Sequence, residues 1–149
     1  MRWLAYLYGL GVRGRLLMFR TGLRKPRRLP HPVISVGNLT VGGTGKTPIT
    51  EFLARWLLQQ GRRPIILSRG YGGSAERSHL FVTVGTRTLC SPLECGDEAW
   101  LLASRLENVP IVVGKDRYGS GRLLDGAFPG QIFLLDDGFQ HLQLERDLN

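Results

Sequence analysis

Short apolar runs alternate with amphipathic stretches along most of the chain. Residues 33–36 (VISV) have the length and β-branched content of a buried strand, and they feed a glycine-rich segment over 37–47. Ile49, Phe52, Leu53, Trp56 and Leu57 then recur at i, i+3, i+4, i+7 and i+8. That spacing predicts a helix turning these five side chains to the core, with Pro48 in its first turn and Gly61 as its stop. Residues 64–68 (PIILS) read as a second strand, followed by a flexible stretch over 69–78 rich in glycine and charge. Residues 80–84 predict a strand with 87–89 as its hairpin partner. The spacing of Ala99, Trp100, Ala103 and Leu106 predicts a helix over 97–106. A strand over 110–113, a short helix over 116–124 and a strand over 131–135 ending in Asp136-Asp137 complete the pattern. Strands alternating with helices imply an α/β fold with a mostly parallel sheet covered on both faces.

The first thirty residues differ. Residues 3–12 (WLAYLYGLGV) are apolar, Arg13 and Arg15 follow, then LLMF at 16–19. The longest uncharged run is ten residues, half of the roughly 20 that a spanning helix needs. Arginines and a second apolar run stand where a signal peptide would have its small-residue cleavage site. The segment therefore predicts an amphipathic helix for the membrane interface, with RKPRR at 24–28 adding attraction to an anionic surface. A helix packed on its own domain and a nucleic-acid arm are the alternatives; RKPRR lacks the interleaved aromatics of the latter.

Charge sharpens this division. The net charge is +8, yet residues 1–50 hold nine basic side chains and no acid, whereas 51–149 hold eleven basic and twelve acidic ones. A composition of 42% apolar and 21% charged residues over 149 positions is that of one globular domain, not a disordered chain. Two cysteines, Cys90 and Cys95, are too few for a disulfide framework and predict free thiols in a reducing compartment.

The strongest chemical signal is TVGGTGKT, residues 40–47, between a predicted strand and a predicted helix. Small residues there let backbone N–H groups curl around phosphate oxygens, and the helix N-terminus adds its dipole. Lys46 would reach the β- and γ-phosphates, and the Thr47 hydroxyl would ligate Mg²⁺. The usual phosphate-loop pattern begins with glycine, where this chain has Thr40. Ile132–Leu135 followed by Asp136 is the apolar strand ending in an acid that holds the Mg²⁺ shell beside such a loop. No base-reading N-K-x-D is present, Gly114-Lys115-Asp116 being the nearest stretch, so ATP is favoured over GTP. Asp97-Glu98 opens a helix, where a catalytic acid and a dipole-favoured acid look alike. Arg69 and Arg117 follow strands and suit either a phosphate clamp or a surface. His141 suits a ligand, an acid–base group or a packing residue, while His31 and His79 read as structural or solvated.

The runs VGNLTVGGTGKTP (36–48), LSRGYGG (67–73), GDEA (96–99), VGKDR (113–117) and LLDDGFQH (134–141) together resemble the tetraacyldisaccharide 4'-kinase family of lipid A biosynthesis. The resemblance implies a P-loop kinase at the cytoplasmic face of the bacterial inner membrane. Such a kinase moves the γ-phosphate of ATP to the 4'-hydroxyl of a tetraacylated glucosamine disaccharide 1-phosphate. It implies a membrane-associated arm over 1–30 and a kinase domain over 31–149, with no nucleic-acid partner. It gives nucleotide-binding roles to Thr40, Val41, Gly42, Gly43, Thr44, Gly45, Lys46 and Thr47, and catalytic roles to Asp97, Lys46 and Asp137. It further implies Mg²⁺ at Thr47, Asp136 and Gln140, and substrate contacts at Glu98, Arg117 and His141. Family chains run to roughly twice this length and carry a second lobe with an assisting histidine. The chain is therefore expected to be truncated and, by itself, at best weakly active. The rival reading is a membrane-positioned P-loop ATPase switch. That class carries a second lysine where this chain has Val41, and it leaves DDGFQH unexplained.

Overall fold

The structure, a computed structural model, describes residues 3, 17–19, 21–38, 45–139 and 141–149. Most of the expected N-terminal helix, residues 39–44 of the glycine-rich loop and Gln140 lie outside the described residues.

Six strands form one sheet: β1 (Val33–Val36), β2 (Arg63–Ser68), β3 (Leu80–Val84), β4 (Arg87–Thr88), β5 (Ile111–Val113) and β6 (Gln131–Asp136), in the order β1-β6-β2-β5-β3-β4. Strands β1, β6, β2 and β5 run parallel, with Val33 opposite Phe133, Ile65 opposite Phe133 and Ile66 opposite Ile111. Strand β3 is antiparallel to β5, and its hairpin partner β4 closes that edge. The sheet is thus mostly parallel, as expected.

Alternation along β6 shows why both faces are covered. Phe133 and Leu135 enter one core with Leu29, Val33, Ile65, Leu67 and Leu144. Leu134, between them, enters the other with Ile66, Ala54, Leu57, Ala99 and Leu102. A strand buried on both sides has no polar face to show, hence the continuous apolar runs. The second core lies under α1 (Lys46–Gln59) and α3 (Asp97–Arg105); α4 (Arg117–Leu123) lies on the opposite face, where Leu124 at its end joins the first core.

The helix at α1 forms where expected, and Leu53 and Leu57 of the five predicted side chains pack into the core, but the inward face is shifted away from the other three. Thr50, Ala54 and Leu57 are buried, whereas Ile49, Phe52 and Trp56 are 51%, 66% and 47% exposed. Small side chains at 50 and 54 let the helix axis approach the sheet, so the face centred on them wins over the larger residues. Glu51 and Arg55 face α3, with Glu51 bridging Arg105 at 3.3 Å and Arg55 donating to the Arg105 carbonyl at 2.5 Å. At 100° per residue Ile49 and Trp56 lie on the opposite flank. Two further elements arise where only loops were expected: a 3-10 turn over Ser74–Arg77 and the single helical turn α2 (Pro92–Cys95).

Residues 24–29 run along the body of the domain. Leu29 is fully buried, and Arg27 forms a backbone bridge with Leu144. The Arg27 guanidinium lies 4.3 Å from the Tyr118 ring centroid and 2.7 Å from Asp116, and Arg28 pairs with Glu145 and Asp147 at 2.8 and 3.0 Å. Two cations of the RKPRR run therefore have carboxylate partners on the domain. Among the described residues no helix is long and apolar enough to cross a membrane.

Candidate functional site

Parallel strands bring their carboxyl ends to one edge, where connecting loops can converge on a ligand. Asp136 closes β6 there and is 1% exposed. The Thr50 hydroxyl donates to its Oδ1 at 3.1 Å and the Ser68 hydroxyl to its Oδ2 at 3.5 Å. Burial pushes the Asp136 carboxyl above the ordinary aspartate range, and the nearby Glu98 and Asp137 carboxylates add to the shift against the Thr50 hydrogen bond.

The next residue, Asp137, has φ 53°. That left-handed turn, tolerated by aspartate at a cost of about 1–2 kcal/mol, leaves Asp136 buried and Asp137 open to the cleft. Asp137 meets Lys46 Nζ at 2.6 Å. This hydrogen bond is the chief reason that the Lys46 ammonium is held above the ordinary lysine range, with Glu98 and Asp136 adding attraction. Lys46 is the first residue of α1, entered through Gly45 at φ 74°; no side chain caps this terminus and its first turn carries no acid. Its leading amides and dipole thus suit an anion.

Facing Lys46 across a cleft of about 440 Å³ are Asp97 and Glu98, with Ser68, Arg69, Gly70 and Tyr71 along the wall. Asp97 opens α3 directly after Gly96, whose φ is 85°. A Cβ on Gly96 would come within 2.6 Å of the Tyr71 carbonyl oxygen, so only glycine lets the two walls meet this closely. Arg69 pairs with Glu76 at 2.5 Å. Arg117 is 5% exposed, donates to the Lys115 carbonyl at 3.1 Å and leaves its Nε without a protein partner. Burial, with help from Arg69, pushes its guanidinium down to about 10, against the pull of Asp137 and Asp136.

Of the residues singled out from sequence, Lys46, Asp97, Glu98 and Asp137 line one cleft, and Asp136 lies beneath it. Thr47 stands at the second position of α1, while Arg117 and His141 are buried outside the lining. Thr40, Val41, Gly42, Gly43, Thr44 and Gln140 lie outside the described residues. Sequence reasoning passed over Thr50, Ser68 and Tyr71. The available signal was LSRGYGG at the end of β2, which the parallel sheet places beside the end of β6.

A divalent cation fits this donor set. Asp136 and Asp137 offer hard carboxylate oxygens, and Mg²⁺ is commonly held by one or two carboxylates plus substrate phosphates. Among the described residues no cluster of three or more His, Cys, Asp or Glu forms a protein-only metal cage.

Because its folded-state pKa is raised, Asp136 binds more protons folded than unfolded between the two values, so its ionisation weakens the fold as pH rises through that window. Asp136→Asn is therefore expected to raise the unfolding midpoint at pH 7. The gain should fade on acidification toward pH 4, and thermal melts at both pH values check it.

Fold and cleft together define a mostly parallel α/β domain with a charged cleft at the carboxyl ends of its strands, where Gly45 leads into α1. A family model described as tetraacyldisaccharide-1-P 4'-kinase (LpxK) matches residues 1–149. The chain belongs to this family. It is 52% identical over 143 residues to a tetraacyldisaccharide 4'-kinase of Pelobacter propionicus, covering 96% of this chain and 40% of the relative. The corresponding protein of Geobacter sulfurreducens is 50% identical over 145 residues, covering 97% and 41%. A crystal structure described as "apo" form LpxK from Aquifex aeolicus in complex with ATP superposes with a TM-score of 0.87 at 43% identity, covering 97% of this chain and 45% of that one. The chain thus spans about two fifths of the length of the curated relatives it matches.

Proposed function

We propose that this chain carries the nucleotide site and the proton-accepting carboxylate of a tetraacyldisaccharide 4'-kinase. The reaction transfers the γ-phosphate of ATP to the 4'-hydroxyl of a tetraacylated glucosamine disaccharide 1-phosphate. The observation that carries this reading is the convergence of Lys46, Asp137 and Asp97 on one cleft at the start of α1. The loop amides over 40–47 and the α1 terminus bind the phosphates, and Lys46 neutralises charge on the transferring group. Thr47, Asp136 and Gln140 would hold Mg²⁺, which when bound screens the phosphate oxygens. Asp97 accepts the 4'-hydroxyl proton as that oxygen bonds to the γ-phosphorus and ADP leaves. Glu98, Arg117 and His141 orient acceptor and phosphates. Arg117 gains an anion for a buried guanidinium whose Nε has no protein partner.

The acceptor is a lipid, which suits the part of residues 1–30 that precedes Arg27 as an interfacial arm on the anionic cytoplasmic face of the inner membrane, Arg27, Arg28 and Leu29 being held on the domain. Trp3, Leu17 and Leu23 are 84%, 62% and 78% exposed, and Arg24 and Lys25, which follow Leu23 in the chain, are exposed as well. A P-loop ATPase switch is not favoured, since the matched relatives carry a kinase name.

The test uses protein recovered from its source membranes, supplied with γ-labelled ATP, Mg²⁺ and detergent-dispersed acceptor lipid. Label is expected on the lipid. Release of label only as inorganic phosphate, whether or not lipid is added, would sink the proposal.

A further inference from the structure

Residues 143–148 have few apolar side chains to bury, and backbone hydrogen bonds lay them against the rest of the domain. Arg27 N–H donates to the Gln143 carbonyl at 2.8 Å, and Glu145 N–H donates to the Arg27 carbonyl at 2.9 Å. Asp147 N–H donates to the Val33 carbonyl and Ser35 N–H to the Leu148 carbonyl, both at 2.8 Å, so the segment also borders β1. Within the run Glu145-Arg146-Asp147 the two acids pair with Arg28. Arg146, half-buried between them, makes no ion pair among the described residues. Its Nη1 donates instead to two main-chain carbonyls, Gly138 at 3.4 Å and Phe139 at 3.3 Å.

Those carbonyls belong to the turn that directly follows Asp137. A left-handed φ of 53° at an aspartate is uphill and persists only where the surroundings hold it. Here the surroundings hold the next residue tightly. Gly138 N–H donates to the Val36 carbonyl at 3.0 Å, and His141 N–H donates to the Gly138 carbonyl at 2.9 Å. A Cβ on Gly138 would come within 2.5 Å of Ser35 Oγ and 2.7 Å of Leu135 Cβ. Arg146 adds the one cation of this set, and hydrogen bonds from a charged donor are stronger than neutral ones.

We propose that Arg146 is a positioning residue for Asp137. Its guanidinium fixes the Gly138 and Phe139 carbonyls, and with them the turn that sets the Asp137 carboxylate 2.6 Å from Lys46 Nζ. Arg146 acts on the cleft only through that turn, since it is not part of the cleft lining. Removing its charge frees one side of the turn, and Asp137 shifts relative to Lys46. The inference rests on the kinase reading for what Asp137 and Lys46 act upon, whereas the hold on the turn does not.

A double-mutant cycle tests it, in protein recovered from its source membranes as wild type, Arg146→Gln, Asp137→Asn and the double variant. Glutamine keeps most of the stem and removes the cation. Arg146→Gln is expected to slow transfer by about 10–10²-fold, the scale of a small misplacement near a reacting group, and Arg146→Lys to recover most of that loss. In the Asp137→Asn background the same change should cost no more than about threefold, because the two residues act as one unit. Unfolding midpoints are measured beside the rates. An arginine that only supported the fold would lower the midpoint alike in both backgrounds, and its rate cost would multiply with that of Asp137→Asn. Multiplied losses, or a wild-type rate in Arg146→Gln, would overturn the assignment. Should the wild type release label only as inorganic phosphate, the kinase reading fails, and the same cycle read on phosphate release still decides the role of Arg146.

Discussion

Replacing Lys46 with alanine is expected to weaken ATP binding by at least about 10-fold and to slow transfer by about 10²–10³-fold, the scale of removing one preorganised charge donor from a reacting centre. Lys46 is held as a cation by Asp137 at 2.6 Å, with Glu98 and Asp136 adding to the shift. Without it, Asp137, Asp97 and Glu98 leave a cleft with three carboxylates and, among the described residues, Arg69 as the one cation of its lining, and a polyphosphate entering there meets repulsion. Stability should barely change. The Lys46 and Asp137 side chains are 23% and 48% exposed, and such solvent-screened pairs contribute about 0–1 kcal/mol. Calorimetric titration with Mg-ATP, beside an unfolding curve, checks both halves. Undiminished ATP affinity in the alanine variant would remove Lys46 from the nucleotide site. Lys46→Arg should recover only part of the binding, because a planar fork does not reproduce a point charge at the end of a four-carbon stem.

The parts that could be read from sequence were those fixed by local pattern. Strands β1, β2, β5 and β6 are near-continuous apolar runs because both faces of the sheet are buried, and the hairpin β3–β4 follows a glycine-containing turn. The Asp136-Asp137 pair was legible as an apolar strand ending in acids, and the structure puts it at the end of β6 beside Lys46, while residues 39–44 of the glycine-rich segment lie outside the described residues. The inward face of α1 was legible only at Leu53 and Leu57. Periodicity weights bulk, whereas close helix–sheet approach selected Thr50 and Ala54, and Ile49, Phe52 and Trp56 stayed outside. Thr50 and Ser68 were missed for a related reason. Their bonds to Asp136 span 86 and 68 positions and exist only once α1 and β2 flank β6. Burial of Arg117 was equally invisible, since an arginine after a strand has no local sign of being enclosed.

The assignment hardest to make from sequence, Asp97, also predicts a large effect. An acid in the first turn of a helix is favoured by the macrodipole whatever its chemistry, by about 0.3–1 kcal/mol, so position alone does not distinguish a proton acceptor from a helix end. The proposed role as proton acceptor is supported by its surroundings: Asp97 is exposed, lines the same cleft as Lys46, and follows a Gly96 that is locked against Tyr71. Asparagine keeps the size of the side chain and its hydrogen bonding but cannot take up a proton at neutral pH. Asp97→Asn is therefore expected to lower the transfer rate by about 10²–10⁴-fold, with ATP affinity changed by no more than a few-fold. That combination marks loss of an interaction made only in the transition state. Glu98→Gln, one position further around the helix, should lose far less rate. Parallel measurement of single-turnover transfer, ATP binding and the unfolding midpoint decides the matter. An Asp97→Asn protein that keeps its rate and loses only a fraction of a kcal/mol of stability would make Asp97 a helix-terminal charge, and the proton acceptor would have to be sought elsewhere in the cleft.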